Sequence, residues 1–185
     1  MRNLILLLCV FIVVSCDPQS QPKPSAYLSL EYPEKTYQKL SISRPYSFDV
    51  LESSIVKDQQ RDWLEIEYPA LKASISITYR KVDQNLGELL SEAEKLVFKH
   101  TLKADEIIHK DFSNTKKRVF GSMYEITGNA ASQIQFHATD STRHFIKGSL
   151  YFFTTPNYDS ILPAVFYIKK DILHLMETLE WNNME

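Results

Sequence analysis

Apolar and polar residues alternate with a period of two along much of the chain. In residues 63–68, Leu64, Ile66 and Tyr68 fall on one side of an extended backbone and Glu65 and Glu67 on the other. In residues 72–79, Ala73, Ile75, Ile77 and Tyr79 share a side that continues from Leu71. This is the pattern of half-buried strands, and Pro69 and Ala70 between them mark a hairpin turn. Shorter runs predict strands over 27–32, closed by Pro33, and over 47–51, after Arg44 and Pro45. Three or four more strands are predicted, over 107–112, 119–127, 133–138 and 144–153. The alternation of Phe120, Ser122, Tyr124 and Ile126 weighs against a helix there.

Between the two blocks of strands the period changes. Leu86, Leu89, Leu90, Ala93, Leu96, Val97, His100 and Ala104 recur at spacings of three and four, which predicts an amphipathic helix of about eighteen residues. Asn85 and Glu88 have capping-box spacing at its start. A second helix is predicted over 159–181, with Val165, Ile168, Ile172, Leu175 and Leu179 on one stripe and Pro163 tolerated in the first turn. The stripe is too short for a coiled coil and follows a sheet, so it favours core packing. Two blocks of strands, each followed by one long helix, predict an α+β fold: an antiparallel sheet covered by two main helices.

The first sixteen residues fit neither period. Arg2, an apolar run from Leu4 to Val14, then Ser15 and Cys16 have the order of an exported leader. As a helix this run would cover about half of a bilayer core, which needs about 20 residues, so it is not expected to persist as an anchor. Val13, Val14, Ser15 and Cys16 resemble a bacterial lipobox, whose cysteine is lipidated and becomes the new N-terminus. The expected organisation is a lipoprotein-type signal peptide over 1–15, a lipidated Cys16 with a tether to residue 26, and a single globular α+β domain over 27–185. Loss of the leader removes Cys9 and leaves one thiol, which lipidation accounts for. Three acyl chains exceed what stable anchoring takes, and Pro18, Pro22 and Pro24 favour an extended spacer.

Charge narrows the choice of partners. The chain has 21 basic and 23 acidic residues; without Arg2 the net charge is about −3, which favours neither nucleic acid nor an anionic lipid surface. Lys116, Lys117 and Arg118 could form a small anion patch, but they lie between two predicted strands, beside Asn114 and Thr115, and read instead as a solvated turn. The four glycines, Gly87, Gly121, Gly128 and Gly148, make no phosphate loop.

Ser132, His137, Asp140 and His144 invite a hydrolase reading. Along one strand, however, Ser132 and His137 lie about 16 Å apart and point to opposite faces. A nucleophile and its base need about 2.6 to 3.2 Å, and there is no Gly-x-Ser-x-Gly elbow. A hairpin turning at 140–143 would pair His137 with Phe145 or Ile146, and Ser132 with Leu150 or Tyr151, leaving His144 at the turn. His137, Asp140 and His144 match no metal-ligand spacing. The segment therefore reads as a hairpin in which Asp140, Ser141 and Thr142 supply turn chemistry, with no metal, cofactor or catalytic residue assigned. His100 and His174 read as partly buried helix residues and His109 as a solvent-facing strand residue.

Several blocks carry a resemblance: PKPSAYLSLEYP (22–33), GNAASQ (128–133), GSLYFFTTPNYDSILP (148–163), IKKD (168–171) and HLMETL (174–179), behind the lipobox. Together they resemble the gliding motility lipoprotein family GldD of Bacteroidetes over nearly the whole chain. The resemblance implies an envelope lipoprotein needed for gliding, in a system tied to type IX secretion. It brings no catalytic residues, and only Cys16 carries over as a functional residue. The element order is also similar to the PsbP/Mog1-like sandwich, a fold often used for binding. Residues 17–24 hold one acidic residue rather than an acidic run, which points to a periplasm-facing anchor; Asp17 leaves either membrane compatible. The expected function is a non-enzymatic binding or assembly component whose partners are gliding and secretion envelope proteins and, through its lipid, a membrane. Tyr27, Leu30 and Tyr32 are the candidate partner-binding residues. The alternative is an envelope enzyme, a hydrolase or metal-dependent protein, using Ser132 to His144.

Overall fold

A computed structural model describes residues 32, 34–99, 103–154 and 157–182. In chain order the elements are β1 (Tyr37–Lys39), β2 (Tyr46–Ser47), β3 (Asp49–Leu51), β4 (Ile55–Asp58), β5 (Leu64–Tyr68), β6 (Ala73–Lys81), α1 (Leu86–Phe98), β7 (Ile107–Asn114), β8 (Val119–Ile126), β9 (Ile134–Thr139), β10 (His144–Phe152), α2 (Tyr158–Thr178) and β11 (Glu180–Trp181). Seven strands form one sheet in the order β4-β5-β6-β10-β9-β8-β7, and every pairing in it is antiparallel. Two short ladders lie apart from it, β1 with β3 and β11 with β2.

The alternating pattern explains why the sheet has a helix on each face. Successive strand residues point to opposite faces, so Ile146 packs into one core and its neighbour Phe145 into another. The larger core joins Ile75, Ile77, Phe136 and Leu150 to the α2 stripe of Val165, Ile168, Ile172 and Leu175. Ile168 and Ile172 are fully buried, and each such side chain contributes about 1.5–3 kcal/mol. On the other face α1 packs Leu89 and Ala93 on Phe145, and Val97 on Tyr124 and Ile126. No described helix is long and apolar enough to cross a membrane.

Two glycines let strands approach closely. Gly148 sits opposite Phe136, and a Cβ on it would come 2.1 Å from that ring. A Cβ on Gly121 would come 2.0 Å from the backbone oxygen of His137.

Some boundaries differ from the sequence reading. The helix expected to Ala104 ends at Phe98, and the Lys99 N–H closes it on the carbonyls of Lys95 and Val97. Ala104 packs instead against the cluster of Val97 and Tyr124, where the chain enters β7; His100 lies outside the described residues. The capping box does not form. Asn85 Oδ1 accepts from the Asp83 N–H at 2.9 Å, and it is the Asn85 carbonyl that receives the N–H groups of Glu88 and Leu89. The last helix ends at Thr178 rather than Trp181, because Glu180 and Trp181 pair with Ser47 and Tyr46. Pro163 falls inside α2 beyond its first turn; the carbonyl it leaves free belongs to Asp159, which is exposed to water. Of the strand expected over 27–32, only Tyr32 is described, and it is not in a strand.

Candidate functional site

The β9–β10 hairpin holds the residues that suggested catalysis. Asp140 builds its turn: Oδ1 accepts the N–H groups of Thr142, Arg143 and His144 at 3.0, 2.7 and 2.8 Å, and Oδ2 accepts the Thr142 hydroxyl at 2.9 Å. Burial alone would raise the Asp140 carboxyl, but these donors hold it down at about 2. Thr139 Oγ1 donates to the His144 carbonyl at 2.6 Å, and Ser141 takes the left-handed conformation with φ 67. The loop is one residue tighter than the expected 140–143 turn, since Asp140 N–H bonds the His144 carbonyl. The register moves with it: His137 lies opposite Lys147 rather than Phe145 or Ile146.

Asp140 meets His144 through its backbone N–H, and the Ser132, His137 and His144 side chains are not brought together. His137 is buried on the α1 face, stacked on Phe145 with centroids 5.8 Å apart, and burial pushes it toward the neutral form. His144 lies on the opposite face, where Nδ1 is 2.9 Å from the Tyr79 hydroxyl and the ring is parallel to Trp181 within 7°. Its pKa is lowered too, by burial. Ser132 Oγ donates to the Ile134 carbonyl at 3.1 Å and is buried. Each of the four thus serves packing or a turn, and no nucleophile faces a base. Among the described residues no three His, Cys, Asp or Glu groups are placed to hold a metal ion. His109 is exposed, as expected, and stacks on Tyr124.

A different cluster was not singled out from the sequence. Asp171 lies on the buried side of α2, 4% exposed, and the segment before β1 docks on it. Lys35 Nζ forms an ion pair with Asp171 Oδ1, bonds the Tyr167 carbonyl at 2.6 Å, and sits 3.8 Å over the Tyr167 ring centroid. The Tyr37 hydroxyl donates to the same Oδ1 at 2.7 Å, and its ring stacks on His174 at 3.9 Å. His174, half-buried as expected, has Nε2 3.4 Å from Asp49 Oδ2. Tyr32 stacks on Tyr167 at 4.4 Å. Burial lowers the Lys35 pKa while Asp171 opposes the shift; the Tyr37 and Tyr68 phenols are pushed up by burial and by the same carboxylate. The Tyr37 and Tyr68 phenols therefore stay protonated at neutral pH, and the ion pair, hydrogen bonds and ring contacts make the cluster a clamp on the chain. Asp171 had a readable signal: it is a carboxylate set among Ile168, Ile172 and Leu175 on an otherwise apolar stripe. Tyr27, Leu30 and Cys16 lie outside the described residues.

Lys116, Lys117 and Arg118 form the turn between β7 and β8, as expected, with the Lys117 N–H bonded to Asn114 Oδ1 at 3.2 Å. The turn is also tied to the C-terminal strand, because Trp181 Nε1–H donates to the Arg118 carbonyl at 2.9 Å.

No curated protein matches the chain. One family model, described as gliding motility lipoprotein GldD, matches residues 17–181.

Proposed function

We propose a role from one premise, which is that the chain belongs to the gliding motility lipoprotein GldD family. Membership makes it a component of gliding motility and a lipoprotein of the cell envelope. Within that role we read it as a non-enzymatic binding or assembly component of the gliding machinery and the associated type IX secretion system. Residues 1–15 are its signal peptide, Cys16 carries the lipid, residues 17–26 are the tether, and residues 27–185 form the body, facing the periplasm. The family match carries this reading, since it starts directly after the lipobox cysteine and runs to Trp181.

Two observations support the non-enzymatic part. Ser132, His137, Asp140 and His144 are each committed to packing or turn geometry. The order strands, helix, strands, helix is also similar to the PsbP/Mog1-like sandwich, an analogy of element order alone. Tyr27, Leu30 and Tyr32, which precede Lys35 in the sequence, are the proposed partner contact.

In-cell crosslinking through a C-terminal affinity tag tests the role, with Cys16→Ala as the anchoring control. Motor, adhesin or secretion components should be recovered with the wild type and fall away in the control. Recovery of bulk lipoproteins alone would count against an assembly role.

A further inference from the structure

The β7–β8 turn, the β9–β10 turn and β11 close around one concavity of about 400 Å³, within the range of small-ligand sites. Four cations line it, Lys116, Lys117, Arg118 and Arg143, against the carboxylates of Asp140 and Glu180. Both carboxylates are already engaged. Asp140 is turned into its own loop, and Glu180 is held between Lys39 at 2.9 Å and Lys117 at 3.3 Å, which keep its carboxyl below the ordinary value. Lys116 pairs with no carboxylate among the described residues. Positive charge is thus concentrated at one spot on a chain of formal net charge −2.

The donors are fixed in advance. Arg118 Nη2 bonds the Asp140 carbonyl at 3.2 Å and Thr142 Oγ1 at 3.3 Å, which leaves Nε and Nη1 of the fork to point elsewhere. The Arg118 backbone is left-handed, with φ 52, and its carbonyl is pinned by the Trp181 indole. Lys117 Nζ is tied to the Thr178 carbonyl at 3.3 Å. Trp181 is backed on one side by the His144 ring, 5.3 Å away. Positioning of this kind lowers the ordering cost of binding. Guanidinium forks beside ammonium groups suit a tetrahedral oxyanion, and the indole offers a flat apolar wall to the organic body that carries it.

We propose that this cleft binds the phosphate group of a small phosphate ester. Two sources offer that chemistry, a phospholipid headgroup and a soluble phosphate ester.

The test uses the full-length chain in neutral-detergent micelles and follows its indole N–H resonances, with Trp63→Phe to assign the Trp181 signal. Glycerol 3-phosphate and short-chain phosphatidic acid are titrated separately, against sodium chloride and acetate at matched ionic strength. The expected result is a saturable shift of the Trp181 resonance with at least one phosphate probe. Lys116→Gln should raise the half-saturating concentration about tenfold, with the melting temperature unchanged. Tighter response to phosphatidic acid assigns the site to a headgroup, and tighter response to glycerol 3-phosphate assigns it to a soluble ester. A shift that chloride or acetate reproduces, or one equal in the wild type, Lys116→Gln and Arg143→Gln, overturns the proposal.

Discussion

Asp171 lies on the apolar stripe of α2 at 4% exposure, and Lys35 and Tyr37 replace the water lost at its Oδ1. Asp171→Asn keeps an acceptor for Tyr37 but leaves the Lys35 ammonium, 15% exposed, without its counter-charge. Stability should fall by about 1–3 kcal/mol, read from urea midpoints. The pair Asp171→Leu with Lys35→Met should lose less than either single change, because removing both charges removes the desolvation cost as well. A double variant as weak as the sum of the singles would refute coupling between the two. Asp140 makes the opposite case, a carboxylate whose charge is stabilised by the backbone. Its folded-state pKa, about 2, lies below the ordinary carboxylate value of about 3.9. Its contribution is therefore fully present above about pH 4 and is lost as the pH falls toward about 2. Asp140→Ala should cost about 3 kcal/mol at pH 7, and the gap to wild type should narrow to about 1 kcal/mol near pH 2. An unchanged gap across that range would show that the charge has no part in the turn.

Strands and helices were legible in proportion to how regularly they bury a face. The predicted strands over 63–68, 72–79, 107–112, 119–127, 133–138 and 144–153 return as β5 to β10 with small boundary shifts; β5 alternates core and surface cleanly, whereas β9 is buried on both faces and is legible through its apolar and β-branched residues. β1 and β4 were missed because they are short and mostly exposed, leaving no alternation to read. The end of α1 was misplaced because the spacing of threes and fours runs on through His100 and Ala104, although the chain turns after Phe98. The hairpin at Asp140 was readable from its turn residues, but its register depended on which backbone groups the carboxylate captured. Asp171 was visible in the stripe of α2, yet its partners Lys35 and Tyr37 come from the far end of the chain, a distance no local pattern spans. Gly148 makes a sharp test of pairing between elements. Gly148→Ala would push a methyl group against the Phe136 ring and should cost about 1–3 kcal/mol. Phe136→Leu should recover part of that loss in the double variant, measured as a coupling energy in a thermal or urea cycle. Strict additivity would mean that the ring yields without cost.

At the scale of the whole molecule, the segment through Lys35 and Tyr37 is the route by which the body joins the chain leading to Cys16. It is held to α2 by the Asp171 cluster and to β3 by a three-residue ladder. Asp171→Asn should therefore make trypsin cut after Lys35 and Lys39 several times faster while sites in the seven-stranded sheet keep their rates. Equal acceleration at every site would indicate general loosening instead. The clamp also has a consequence for span. If the lipid sits on Cys16, as proposed above, the sixteen residues from there to Tyr32 reach at most about 55 Å with the segment docked, and peeling the chain away as far as Lys39 adds about 25 Å. On that proposed anchor, one buried carboxylate would govern how far the body swings from the membrane.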